Sequence, residues 1–229
     1  MDETMENRLR ESQLFCIGKL LASYTHELKN HLAIINESSG LMGDLLEMTM
    51  DEEDKTCQRF KKIIGTIGER IAQANTMAKY LNSFGHRMDV PLSNFNVNDL
   101  LTEELALIDR GAGTKKVEIK RDLEAQLPSV LNNASLLQFV VFILVQELIE
   151  KFADGGVIEI RSHEQDQKIQ VRMTAMGQMG RTTGDAGFGQ IDEVLQFVVA
   201  KMAVGFIRKP PEAETIEIIL TIPLVPFLG

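Results

Sequence analysis

The chain is short of cysteine, short of proline, and short of positive charge. Its 229 residues include two cysteines, Cys16 and Cys57, and no Cys/His spacing around either suggests a metal ligand set. Both fall in helical stretches of one hairpin, so reduced thiols of a cytoplasmic protein are the simple reading. Lys and Arg number 24 against 33 Asp and Glu, a formal net charge of -9. That balance excludes nucleic acid as the expected partner, because phosphate backbones call for a basic surplus. Long apolar runs are also missing. The longest, Phe139 to Val145, is far too short to span a bilayer, and the charged segment Met1 to Glu11 lacks the apolar core of a signal peptide. A soluble protein without a membrane association and without a sensor segment of its own is expected.

What is present is ordinary globular composition, 44% hydrophobic and 25% charged, with a change of character near residue 90. No proline occurs before Pro91. Residues 6 to about 49 read as one long helix. Leu14, Leu21, Leu28, Ile35 and Met42 recur every seven positions, with Leu20, Ile34, Leu41 and Met48 as a second stripe. Asp51-Glu52-Glu53-Asp54 reads as a turn. A second helix follows from about Thr56 to Phe84, with Phe60, Ile63, Ile64, Ile67, Ile71, Met77 and Leu81 on its apolar face, and Gly85 ends it. Two such faces are wider than one hairpin can cover. A homodimer forming a four-helix bundle is the economical solution, and cover by the second domain is the alternative.

Residues 91–229 mix helices and strands. Helices are expected over Asn98 to Ile108, Asn133 to Phe152 (entered through an Asn cap) and Ile191 to Val204. Strands are expected over Lys116 to Arg121, Val157 to Arg161, Lys168 to Met173 and Thr215 to Ile222, with a glycine-rich loop from Gly177 to Gly189. The fold class is therefore α+β. A helical hairpin over 1–90 precedes an α/β sandwich over 91–229, a sheet with helices on one face.

The segment Tyr24-Thr25-His26-Glu27-Leu28-Lys29-Asn30 carries the chemistry. If Leu21, Leu28 and Ile35 face the core, His26 faces solvent, and Asn30 shares its ridge one turn on. An imidazole that is partly neutral near pH 7 is a nucleophile, and the carboxylate of Glu27 beside it can orient the ring and take a proton. An exposed helical His is also an ordinary surface residue, and periodicity alone does not choose. Gly40 and Gly43 either bare a surface near the His or permit close helix packing. His31, on the core-facing edge, reads as a hydrogen-bonded interior His.

His26-Glu27-Leu28-Lys29-Asn30 resembles the H-box of bacterial sensor histidine kinases, and Ile17-Gly18-Lys19-Leu20-Leu21-Ala22-Ser23 before it is similar too. The likeness covers nearly the whole chain, since the second half follows the order of the kinase ATP-binding domain. It implies His26 as phospho-acceptor, Glu27 as its acid/base neighbour, and Asn30 as the group that positions water when a receiver domain is dephosphorylated. His31 stands where that family has proline. The second half departs further. The two expected asparagines are Phe142 and Gln146, Glu147 follows where a small residue is usual, and Ala175-Met176-Gly177 lacks the aspartate of the first glycine motif. The lid survives only as Gly184-Asp185-Ala186-Gly187-Phe188-Gly189. Gln146, Gly177, Gly187 and Gly189 are what remains to hold a nucleotide, and little is left to recognise ATP.

The resemblance thus implies a dimeric histidine phosphotransferase or receiver phosphatase with a degenerate ATP site. Its partner would be a response-regulator receiver domain that brings its own magnesium. A kinase with an altered nucleotide pocket and a non-enzymatic pseudokinase that binds a regulator are the rivals.

Overall fold

The structure is a computed structural model, and it describes residues 3–48, 53–178, 180, 188–210 and 214–225. The chain divides into two compact units, residues 21–82 and residues 1–20 together with 83–229.

The first unit is made of the C-terminal part of α1 (Glu3–Met48) and most of α2 (Glu53–His86). With no proline to interrupt them, both run unbroken. Residues 51 and 52 of the expected acidic turn lie outside the described residues. Glu53 and Asp54 are already helical. Gly85 does not stop α2, which continues to His86 before a turn at 87–89.

Within residues 21–82 the apolar stripes are only partly covered. Ile63 is buried, Leu28, Ile35 and Met42 are half-buried, and Leu21, Leu32, Leu41, Ile64 and Ile71 are each about half exposed or more. Two helices can shield only the strip along which they touch. Ser38, Leu41 and Leu45 face Arg59, Lys62, Ile63 and Thr66 across an open groove of about 450 Å³. His31 is buried as expected, and its Nδ1 has no hydrogen-bond partner among the described residues.

The second unit contains β1 (Ser93–Phe95), α3 (Val97–Thr114), β2 (Val117–Leu123), β3 (Val130–Asn132), α4 (Ala134–Lys151), β4 (Gly156–Gln165), β5 (Lys168–Met176), α5 (Phe188–Lys201), β6 (Gly205–Arg208) and β7 (Thr215–Pro223). The five-stranded sheet has the order β2-β4-β5-β7-β6, and β1 pairs with β3 in a small separate ribbon. Only β2 and β4 run parallel. The hairpin of β4 and β5 turns at Asp166-Gln167, both with positive φ, as a tight two-residue hairpin requires.

Alternation places the core. Ile158 and Ile160 of β4, Ile169, Val171, Met173 and Ala175 of β5, and Ile218, Leu220 and Ile222 of β7 point to one face and are buried. The helices α3, α4 and α5 cover it. Nearly every side chain of α4 from Leu136 to Ile149 is buried, which explains an apolar run with no polar face. Its N-terminus is fixed by Asn133, whose side chain accepts from the Leu136 N–H at 2.9 Å, and Asn96 caps α3 in the same way. Residues 3–20 of α1 belong to this unit. Leu9, Cys16 and Leu20 are buried, and Glu6–Lys201, Arg8–Glu193 and Lys19–Glu150 form ion pairs.

Candidate functional site

His26 lies in the middle of α1, where a continuous helix fixes its ridge. Both His26 and Asn30 are exposed, and Glu27 between them is half-buried. The Thr25 hydroxyl donates to the Leu21 carbonyl at 2.8 Å, a back-bond along the helix. Four residues apart, His26 and Asn30 sit one above the other, so a group delivered to the imidazole can also meet the amide.

Of the four residues expected to hold a nucleotide, three are among the described residues. Gln146 is half-buried, with its amide nitrogen 4.0 Å from where a Cβ on Gly111 of α3 would stand. Gly177 follows β5 with φ +147, a conformation that favours glycine. Gly187 lies outside the described residues. Gly189 is not in a loop: α5 begins at Phe188 and includes it, three residues earlier than the sequence pattern suggested.

Around Gly177 the space is filled. The Phe152 ring packs against both Gly156 and Gly177, and a Cβ on Gly177 would lie 3.0 Å from it. The segment that follows β5 is tied to the end of α4. Ala153 N–H donates to Gln178 O at 3.0 Å, and Gly180 N–H donates to Lys151 O at 2.8 Å. Phe142 and Ala175 are fully buried.

Glu147 was legible as an oddity in an apolar helix, but its partner was not. It is 4% exposed and pairs with Arg208 of β6 at 2.8 Å, while Arg208 also meets Asp192 of α5 at 3.2 Å. Burial pushes the Glu147 carboxyl up, and Arg208 pulls it part of the way back. A second buried acid, Glu104 of α3, was missed altogether. Neither of its oxygens has a hydrogen-bond partner among the described residues, and burial pushes it up to about 8.

Among the described residues no helix is long and apolar enough to cross a membrane. No family model matches the chain. Two curated proteins do. Sporulation kinase A of Bacillus subtilis (strain 168) is 23% identical over 180 residues, 77% of this chain and 27% of its own length. The C4-dicarboxylate transport sensor protein DctS of Rhodobacter capsulatus is 21% identical over 150 residues, 66% of this chain and 22% of its own length. The chain therefore spans about a quarter of the length of the curated relatives it matches. Among solved structures, the catalytic domain of histidine kinase ThkA superposes with a TM-score of 0.52 at 19% identity, covering 60% of this chain and 98% of that one. ThkA in complex with response regulator protein TrrA gives 0.50 at 18% identity, covering 98% of this chain and 66% of that one. Sequence relatives over most of the chain and a shared catalytic-domain fold agree, and the chain is similar to bacterial sensor histidine kinases.

Proposed function

We propose that this histidine-kinase-like protein exchanges a phosphoryl group between His26 and the aspartate of a response-regulator receiver domain, working as a homodimer. The observation that carries the reading is the pairing of His26 and Asn30, exposed one turn apart on an uninterrupted helix. In transfer, a ring nitrogen attacks phosphorus as the bond to the receiver's carboxylate breaks, and that carboxylate leaves with the electron pair. Glu27 orients the imidazole and holds its proton. In dephosphorylation, Asn30 holds the attacking water instead, and magnesium belongs to the receiver.

The residues at the positions expected to hold a nucleotide do not fit ATP. Polar recognition groups are replaced by the buried Phe142 and Ala175, and the Phe152 ring occupies the glycine corner. No step is therefore routed through a nucleotide. The half-exposed apolar residues Leu21, Leu32, Leu41, Ile64 and Ile71 support a second copy as their cover.

The test is a time course with radiolabelled, aspartate-phosphorylated receivers. Label should reach wild type and fail to reach His26→Gln, with circular dichroism unchanged because the position is exposed. Equal behaviour of the two proteins, in labelling and in receiver dephosphorylation, would remove His26 from the mechanism and leave a regulator-binding scaffold.

A further inference from the structure

His31 is a buried polar side chain of the helical hairpin, and the scheme above leaves it unused. It is 7% exposed, and its Nδ1 has no hydrogen-bond partner among the described residues. Leaving such an atom unpaired is costly, so the acceptors within its reach matter.

The nearest carboxylate on its own helix is that of Glu27. At about 100° per residue, Glu27 lies one turn before His31 and about 40° from it around the helix. The two share a ridge, with Cβ atoms about 5–6 Å apart. Both turn inward: His31 is buried and Glu27 half-buried, while His26 and Asn30 are exposed. The facing helix supplies no rival acid. The groove that sets Ser38 and Leu41 against Ile63 and Thr66 fixes the register of α1 on α2. One heptad back from Ser38 is His31, and one heptad on from Thr66 is Gln73. Around that level the half-buried residues of α2 are Arg70, Ala74 and Met77, and the acid Glu69 is exposed. Gln73 Oε1 already accepts from Arg70 Nη1 at 3.0 Å.

We propose that His31 is a positioning residue for Glu27: its ring donates from Nδ1 to one carboxylate oxygen and turns the other toward His26. The inference rests on the phosphoryl-transfer reading, in which Glu27 is the base beside His26. Glu27 stands about 100° around the helix from His26, on the side of His31, so a carboxylate held from the buried side keeps its free oxygen next to the nucleophile. A base that is itself oriented by a third group is the general arrangement around an activated nucleophile. Contact with a carboxylate also selects the tautomer, because the proton must sit on Nδ1 to be shared. Hydrogen bonds of catalytic groups commonly close only when the substrate is bound, and the engaged receiver is the state in which this one closes.

The full chain and its variants are mixed with saturating radiolabelled, aspartate-phosphorylated receivers, and the rate of label reaching His26 is read by rapid quench. His31→Leu should slow that rate by up to about 100-fold, with the receiver concentration for half-maximal rate unchanged. His31→Asn, which keeps an amide donor near the place of Nδ1, should recover most of the loss. In a Glu27→Gln background, His31→Leu should add less than about twofold, because its effect passes through the carboxylate. Equal losses in both backgrounds, no recovery with Asn, or an undiminished rate in His31→Leu would each overturn the proposal. A measurement that leaves His31 in place guards against a variant that does not fold. In complex with a beryllofluoride-loaded receiver, the nitrogen NMR signal of His31 Nδ1 should move when Glu27→Gln is introduced, and an unmoved signal would count against the contact. A wild type that takes no label from any receiver ends the transfer reading and the role of His31 with it. Label on wild type with equal losses in the two backgrounds ends the role of His31 alone.

Discussion

Glu147 of α4 and Arg208 of β6 are paired at 2.8 Å, and the pair ties a helix to an edge strand of the sheet. Arg208→Met keeps much of the stem but leaves Glu147 as a buried carboxyl without its counter-charge. Because Arg208 is itself about a third exposed, the loss should be at the lower end for such pairs, about 2–3 kcal/mol near pH 8. The sign of the pH effect follows from the raised carboxyl. Folded Glu147 binds its proton more tightly than the unfolded chain does, so its contribution is most favourable at low pH and declines as pH rises. The variant's deficit should therefore shrink at pH 5, measured by urea unfolding at both pH values. A deficit that grows at pH 5 would contradict the pairing as described.

Assembly follows from the exposed stripe on residues 21–82. Light scattering of the full chain should give about twice the single-chain mass. Leu41→Asp combined with Ile64→Asp places charge on two half-exposed apolar positions and should give a monomer with its helicity retained. A monomeric wild type would leave the stripe to another cover.

Nucleotide should have no effect. A ligand present at 100 times its dissociation constant adds about 2.7 kcal/mol to stability, enough to move a melting curve visibly. Mg-ATP at about 5 mM should neither shift the melting temperature nor label the protein. A clear shift, or label on His26, would establish the kinase reading instead.

Glu27 and Asn30 should separate transfer from hydrolysis. Glu27→Gln should slow receiver-to-His26 transfer by about 10²–10³-fold, the usual reach of a positioned general base. Asn30→Ala should leave His26 labelling nearly intact and suppress receiver dephosphorylation, since an amide that positions water matters only when water attacks. Gel time courses read both rates. Loss of labelling in Asn30→Ala would assign the amide to transfer.

The parts of the fold legible in the sequence were those with a strong period or a strong punctuation mark. Long helices without proline, the Asn133 cap and the alternating strands β4, β5 and β7 all follow from local pattern. Three short strands, β1, β3 and β6, carry too few residues to show alternation, and only pairing defines them. The sevenfold stripe of α1 was legible as spacing but not as burial. Leu21 is 51% exposed in one chain, since burial depends on a neighbour that spacing cannot name. For the candidate site, the ridge joining His26 to Asn30 follows from helical geometry alone. The Arg208 partner of Glu147 lies about sixty positions away and leaves no local trace.

The packing of Phe152 on Gly156 and Gly177 bears on how glycine motifs are interpreted. A Cβ at Gly156 would lie 2.2 Å from the ring, which excludes one, and a Cβ at Gly177 would crowd the ring at 3.0 Å in a backbone already at φ +147. They would be held in place through any amount of drift at a phosphate cradle. Reopening the corner would demand a smaller residue at 152 before a polar group at 142 or 175 could gain anything. Two changes that help only together form a barrier that single substitutions do not cross. At this corner an interior contact accounts for the glycines without any phosphate.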